Sequence, residues 1–145
     1  MHPSPQPPQP PAPPFVLVVD DHLDTCEVLV RLLRRIPYEA ICALGGRRAL
    51  EVLATAVPAL IFLDVMMPDV SGLDVLRAVR EGPRTRDVPV VMYSADTTRH
   101  TACAALELGA QAFVVKGRMG FNELRQLVGK YLSGGEDGRG GGGGD

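Results

Sequence analysis

Short apolar runs alternate with amphipathic stretches along most of this 145-residue chain. Leu60–Leu63 has the character of a strand buried on both faces of a parallel sheet, and five of the runs in all predict strands. They are Phe15–Val19, Tyr38–Leu44, Leu60–Leu63, Asp87–Tyr93 and Gln111–Val115. Each run is followed by a segment with helical spacing of its apolar residues, at about residues 24–36, 47–56, 72–81, 96–108 and 119–132. Five strand-helix units in series predict a doubly wound α/β domain, with a parallel sheet and helices on both of its faces.

Capping residues mark the ends of the first helix. Asp24 and Glu27 have the spacing of a capping box, which predicts that the helix is capped at Asp24. Pro37 stops the same helix. With Asp24 as the cap, the acidic pair Asp20-Asp21 ahead of it is left without a capping role.

The two ends of the chain differ in composition from the middle. Residues 1–14 contain eight prolines and predict a disordered, extended tail, because they cannot bury enough apolar surface to offset the entropy of ordering. Residues 133–145 are rich in glycine and predict a flexible tail with no output domain behind it. The folded domain is therefore expected to span residues 15–132.

Charge and composition exclude several classes of function. The formal net charge is −2, so nothing indicates a nucleic-acid-binding surface. No segment has the pattern of a signal peptide or of a membrane span, and we expect a cytoplasmic protein. Cys26, Cys42 and Cys103 lie on separate predicted elements and lack the spacing of a zinc site. We interpret them as small buried side chains in a reducing compartment, and not as a disulfide framework.

Polar residues follow four of the five predicted strands. Asp20 and Asp21 come after the first, Asp64 after the third, Ser94 after the fourth and Lys116 after the fifth. Because parallel strands end at one edge of a sheet, these residues are expected to lie together. Two carboxylates about 4 Å apart repel by about 4 kcal/mol at an effective dielectric near 20, so three of them need a cation. Oxygen ligands without histidine or thiol select a hard divalent ion, and we expect Mg²⁺.

The same group of residues suits a phosphoryl group. A metal ion and Lys116 would neutralise its oxygens, and the hydroxyl of Ser94 would donate to one of them. The carboxylate of Asp64 is then a candidate nucleophile that forms an acyl phosphate. His22, beside the acidic pair, is interpreted as a loop residue at the rim of the site.

Residues 15–132 resemble the receiver domain of response regulators in two-component signalling. The residues that carry the resemblance are Asp20-Asp21, Asp64 with Met67-Pro68 and Gly72 after it, Ser94-Ala95, and Lys116. Each is common alone, but the set in this order and phase is highly specific. The resemblance implies a flavodoxin-like receiver fold with strand order 2-1-3-4-5.

The resemblance also implies a role for each matching residue. Asp64 would be the phosphorylated residue. Asp21, Asp64 and the backbone carbonyl of Met66 would bind Mg²⁺ directly, and Asp20 would act mainly through water. Lys116 would pair with the phosphoryl group.

A switch is implied as well. Ser94 would move toward the phosphoryl group, and the aromatic Phe113 would turn inward with it. The signal would then appear on the face made by the fourth helix, the fifth strand and the fifth helix. One departure from the family pattern lies beside the lysine: Gly117 stands where proline is usual, so the loop that places Lys116 is less restrained.

The function that follows is that of a stand-alone response regulator receiver. It would accept a phosphoryl group from a phosphohistidine on a sensor histidine kinase or a phosphotransfer protein. It would then act on a downstream protein target by contact, as a monomer or weak homodimer, without binding nucleic acid or membrane. It contributes to its own phosphorylation and dephosphorylation but is not a metabolic enzyme.

Two alternatives remain open at this stage. A phosphatase of the haloacid dehalogenase type also uses an aspartate at a strand end, but it requires a second aspartate two residues later, where this chain has Met66. A receiver-like interaction module that acts without phosphorylation is compatible with Gly117. A dinucleotide-binding domain is poorly supported, because no GxGxxG motif follows the first strand.

Overall fold

The computed structural model describes residues 15–95 and 98–132. Strands and helices alternate through these ranges as predicted. The strands are β1 (Phe15–Asp20), β2 (Glu39–Leu44), β3 (Leu60–Asp64), β4 (Val90–Ser94) and β5 (Ala112–Val115). The helices are α1 (Leu23–Arg35), α2 (Gly46–Thr55), α3 (Gly72–Glu81), α4 (Arg99–Glu107) and α5 (Phe121–Leu132). The predicted tails, residues 1–14 and 133–145, lie outside the described residues.

The five strands form one parallel sheet in the order β2-β1-β3-β4-β5, which confirms the predicted fold. Helices α1 and α5 cover one face, and α2, α3 and α4 cover the other. Every residue of β1, β3 and β4 is buried, because these three strands are covered on both faces. Their carboxyl ends therefore hold polar side chains in a position shielded from water.

Gly72 allows α3 to start directly against the end of β3. A Cβ added at this position would collide with the backbone carbonyl oxygen of Asp64. The glycine is thus required by a close approach of two backbone segments, and its absence of a side chain sets where the loop after Asp64 can run.

Asp69 ties that same loop to the neighbouring helix α2. Its carboxylate accepts hydrogen bonds from the backbone N–H groups of Gly46 (3.2 Å) and Arg47 (3.0 Å). The residue that precedes the helix, Gly45, has no side chain to cap it and has a φ of 104°. A residue far along the chain therefore supplies the N-terminal cap of α2.

The predicted ends of two elements are wrong. Helix α1 begins at Leu23 with His22 at the N-cap position and no side-chain cap, so Asp24 lies within the first turn, where its charge favours the helix dipole. Strand β4 begins at Val90, three residues after the predicted start, because Pro89 lacks the N–H that a strand ladder needs. Helix α4 begins at Arg99 with Thr98 as its N-cap, whereas its predicted start at about residue 96 lies outside the described residues. The remaining ends agree within about two residues.

The interpretation of the cysteines is also wrong. Cys26 and Cys42 form a disulfide that joins α1 to β2, with Cα atoms 5.9 Å apart, and Cys103 is exposed with a free thiol. The two partners are 16 residues apart and show no motif. They meet because α1 packs back over the edge of the sheet that β2 forms, and that packing is not visible as a spacing in the sequence.

Within the described ranges, no helix is long and apolar enough to cross a membrane.

Candidate functional site: an acidic pocket at the carboxyl edge of the sheet

Asp20 and Asp64 lie side by side at the carboxyl ends of the adjacent strands β1 and β3. Asp20 is fully buried, and Asp64 is 2% exposed. Each is the last residue of its strand. Burial of two carboxylates on neighbouring strands is unfavourable unless positive charge or hydrogen-bond donors compensate them.

Lys116 supplies the positive charge. Its Nζ lies 2.8 Å from Asp20 Oδ2 and 3.1 Å from Asp64 Oδ2, so one ammonium bridges the two carboxylates. Burial lowers the pKa of Lys116, but its bonds to Asp20 and Asp64 outweigh that effect and raise the pKa above its ordinary value. Lys116 therefore stays charged at neutral pH. The backbone N–H of Lys116 donates to the carbonyl of Ser94 (2.9 Å), which fixes the end of β5 against β4.

Asp20 receives further donors from the protein. The backbone N–H of His22 donates to Oδ1 (2.9 Å), and the hydroxyl of Tyr93 donates to Oδ2 (2.9 Å). Burial raises the pKa of Asp20, but the bonds from Lys116, His22 and Tyr93 more than offset it and hold the pKa below its usual range. Asp20 is therefore an anion over the whole neutral range.

Asp64 is less completely compensated. Its Oδ1 accepts one bond from the backbone N–H of Met66 (3.2 Å), and its Oδ2 faces Lys116. Burial raises the pKa of Asp64, the charge of Asp20 raises it further, and Lys116 lowers it, with a net increase above the ordinary value. The carboxylate with the weaker stabilisation is thus the one that the sequence marks as the nucleophile.

Asp21 completes the acidic pocket. Ligand atoms of Asp20, Asp21, His22 and Asp64 all lie within 4.8 Å of one another. Within the part of the chain that the structure describes, Asp21 Oδ1 is the buried side-chain oxygen with no hydrogen-bond partner. His22 Nδ1 lies 3.2 Å from that oxygen, but the geometry is that of an ion pair, which requires a protonated imidazole.

The pocket fits a divalent cation. A buried carboxylate oxygen without a hydrogen bond, close to two further carboxylates, is the arrangement that a hard metal ion satisfies. The His22 side chain is 69% exposed and lies at the rim. The side chain of Met66 is exposed and does not pack in the core, and its backbone lies two residues after Asp64.

The two predicted switch residues lie on the neighbouring strands β4 and β5. Ser94 is fully buried at the end of β4. Phe113, in the middle of β5, is half-buried and packs against the apolar cluster on the α2, α3 and α4 face. One conformation does not test movement, so the switching roles of Ser94 and Phe113 stay predictions.

Sequence analysis missed Tyr93. This residue precedes Ser94 and has the aliphatic neighbours of an ordinary core strand, so its pattern indicates packing alone. The available signal was its position: a hydroxyl-bearing residue at the end of a central strand lies next to the ends of its neighbours. In the sheet register Tyr93 is paired with Asp64.

Comparison with known proteins identifies the family. A sequence model described as the response regulator receiver domain matches residues 16–129. The two-component response regulator ORR3 of rice is 36% identical over 115 residues, which are 79% of this chain and 82% of ORR3. The response regulator PleD of Caulobacter vibrioides is 39% identical over 101 residues, 70% of this chain but 22% of PleD.

Solved structures agree with the sequence match. The chemotaxis protein CheY4 of Vibrio cholerae superposes with a TM-score of 0.76 at 27% identity, over 82% of this chain and 98% of CheY4. The chain belongs to the family of response regulator receiver domains. Such domains are signalling modules, and they typically interact with histidine kinases or phosphotransfer proteins.

Proposed function

We propose that this receiver domain accepts a phosphoryl group on Asp64 from a phosphohistidine of a sensor histidine kinase or phosphotransfer protein, with Mg²⁺ bound in the acidic pocket. The observation that carries the proposal is the buried pair Asp20 and Asp64 bridged by Lys116, beside the unpartnered oxygen of Asp21. Family membership supports it independently.

The chemistry is a transfer between two nucleophiles. A carboxylate oxygen of Asp64 forms a bond to phosphorus while the bond from phosphorus to the imidazole nitrogen of the donor breaks, and that nitrogen keeps the electron pair. Bound Mg²⁺ would neutralise the phosphoryl oxygens. Asp21, Asp64 and the carbonyl of Met66 would hold the ion directly, with Asp20 acting through water.

Lys116 has a second task in this proposal. It neutralises Asp20 and Asp64 before transfer, and its ammonium is already 3.1 Å from the oxygen of Asp64 that would carry or adjoin the phosphoryl group. A small displacement then pairs it with the new charge. Ser94 would donate its hydroxyl to the same group, and Phe113 would follow, which changes the face of α4, β5 and α5 that contacts the downstream protein.

The test is phosphorylation by two small donors, read by intact mass. Acetyl phosphate and phosphoramidate are suitable, since phosphoramidate has the phosphorus–nitrogen bond of phosphohistidine. We expect one phosphoryl adduct that requires Mg²⁺ and is lost in Asp64→Asn. Asp74→Asn is the matched control, because Asp74 is an exposed aspartate on α3 that pairs with Arg77.

Failure would take a distinct form. If the folded protein binds Mg²⁺ but gains no adduct from either small donor or from a phosphorylated phosphotransfer protein, phosphorylation is not its mode of action. A module that acts by contact alone would then be the better description. Gly117 is the observation in favour of that alternative: it stands where receiver domains usually have proline, and its φ of 83° is one that proline cannot adopt.

A further inference from the structure

Tyr93 is the residue of the pocket for which neither the sequence pattern nor the family match supplies a role. It lies near the end of β4 and is 4% exposed. Its ring belongs to the apolar cluster on the α1 and α5 face. Its hydroxyl lies 2.9 Å from Asp20 Oδ2 and 3.4 Å from the carbonyl oxygen of Val19. The hydroxyl has one proton to donate. Asp20 Oδ2 is closer and charged, so it is a stronger acceptor than the carbonyl oxygen of Val19.

The same side chain also contacts the lysine. Lys116 Nζ lies 5.2 Å from the centroid of the Tyr93 ring, within the range of a cation–π interaction. Lys116 Nζ and the Tyr93 hydroxyl both reach Asp20 Oδ2. Tyr93 therefore touches both members of the ion pair, the anion with its hydroxyl and the cation with its ring.

The backbone around Lys116 is held by two hydrogen bonds that do not reach its ammonium. The N–H of Lys116 donates to the carbonyl of Ser94 (2.9 Å), and the N–H of Arg118 donates to the carbonyl of Val115 (3.1 Å) across Gly117. The position of Lys116 Nζ depends on its contacts with Asp20, Asp64 and Tyr93.

Asp20 accepts from one donor more than Asp64 does, because Tyr93 adds a bond to it. The backbone N–H of His22 occupies Oδ1, and Lys116 and Tyr93 occupy Oδ2. Asp21 Oδ1 has no hydrogen bond, and Asp64 Oδ1 has a single donor. The protein thus fixes one carboxylate with its own donors and leaves the other two for a cation.

We propose that Tyr93 is a positioning residue. It holds the side chains of Asp20 and Lys116 against each other, so that Asp21 and Asp64 are the carboxylates available to Mg²⁺ and to the phosphoryl group. This inference rests on the function proposed above and deepens it. The hydroxyl keeps Asp20 turned toward the protein, and the ring keeps the ammonium between the two buried carboxylates. Loss of the hydroxyl lets Asp20 and Lys116 rearrange, and the cation then has to reorganise the pocket as it binds.

The experiment measures Mg²⁺ affinity by titration calorimetry in Tyr93→Phe, which keeps the ring and removes the hydroxyl. Loss of a residue that orients metal ligands weakens binding by about 10-fold to 100-fold, and we expect the lower end because the ring contact with Lys116 remains. Tyr131→Phe is the matched control: it deletes a hydroxyl that lies 3.3 Å from the carbonyl of Gln111, and its affinity should equal that of the wild type.

A double-mutant cycle separates positioning from general structural damage. If the hydroxyl acts through Asp20, Tyr93→Phe has no further effect on Mg²⁺ affinity once Asp20→Asn is present. Unchanged or tighter Mg²⁺ binding in Tyr93→Phe would overturn the role of Tyr93, as would equal effects in the two backgrounds. If the wild type itself neither binds Mg²⁺ nor forms the Asp64 adduct, the proposed function fails, and the role of Tyr93 fails with it.

Discussion

Replacement of Asp21 by asparagine tests the electrostatics of the acidic pocket directly. The ligand atoms of Asp20, Asp21 and Asp64 lie within 4.8 Å of one another. At that separation two unit charges repel by about 3.5 kcal/mol if the effective dielectric is near 20. Asparagine keeps the shape of the side chain and removes its charge, so in the absence of metal Asp21→Asn should raise the free energy of unfolding.

Two features of the pocket reduce that figure. Lys116 already compensates part of the negative charge, and the side chain of Asp21 is 23% exposed, so water screens it. We therefore expect Asp21→Asn to be more stable than the wild type by about 1–2 kcal/mol in a chelator such as EDTA. Mg²⁺ reverses the order. At about 100 times its dissociation constant, a bound ion would stabilise the wild type by about 2.7 kcal/mol, whereas the variant would lack a ligand that the proposed function assigns to Mg²⁺ and should gain much less.

Urea denaturation followed by far-UV circular dichroism measures both effects. The wild type, Asp21→Asn and the surface control Asp74→Asn are each unfolded with EDTA and with Mg²⁺. Asp74 lies on α3 with 59% of its side chain exposed, so its replacement should change little in either condition. The reasoning would be refuted if Asp21→Asn were less stable than the wild type in EDTA, or if it kept the full stabilisation by Mg²⁺.

Three further predictions concern the parts of the fold that position the pocket. Cys42→Ser, or reduction of the disulfide, should lower the free energy of unfolding by about 3 kcal/mol because the closed loop spans 16 residues; urea titrations with and without reductant check this, and equal midpoints would contradict it. Hydrogen bonds from the N–H of Arg47 and from other backbone groups lower the pKa of Asp69 in the folded protein. The stability that the Asp69 carboxylate gives the protein is therefore fully present above about pH 4, and it is lost as the pH falls through the folded-state pKa. The stability difference between the wild type and Asp69→Ala should accordingly shrink between neutral pH and pH about 3, and a constant difference would exclude this cap as its source. Gly72→Ala places a Cβ against the carbonyl oxygen of Asp64 and should cost about 1–3 kcal/mol and weaken Mg²⁺ binding, as thermal melts and calorimetry would show; wild-type values in both would contradict the close approach.

The sequence was sufficient for the architecture and for most of the pocket. Alternation of strands and helices predicted a parallel α/β sheet, the resemblance to receiver domains supplied the strand order, and parallel strands bring Asp20, Asp64, Ser94 and Lys116 to a single edge. The prediction depended only on strand direction and on which residue ends each strand. Both are local properties that hydrophobic periodicity reveals.

Features that depend on packing between distant segments were not predictable in this way. The disulfide pairs two cysteines because α1 lies across the edge strand β2, and Asp69 caps α2 because Gly72 lets its loop turn close to β3. The prediction of a cap at Asp24 was also wrong. Asp24 and Glu27 have the spacing of a capping box, but the helix starts at Leu23, which puts Asp24 inside its first turn. Tyr93 was overlooked because a tyrosine in an apolar strand satisfies the pattern of a core residue.

The charges of the pocket favour one divalent ion in addition to the lysine. Asp20, Asp21 and Asp64 carry three negative charges and Lys116 carries one positive charge. The pocket therefore has a net charge of −2. A single divalent cation supplies that balance. Transfer of a phosphoryl group replaces the single charge of Asp64 with a charge of about −2, as for other phosphorylated side chains, and the balance is lost by one unit. Lys116 is the cation that already contacts Asp64, but it is shared with Asp20. A movement of Lys116 toward a phosphorylated Asp64 would leave Asp20 with the hydroxyl of Tyr93 and the N–H of His22 as its remaining donors, so we expect the contact with Tyr93 to matter most in that state.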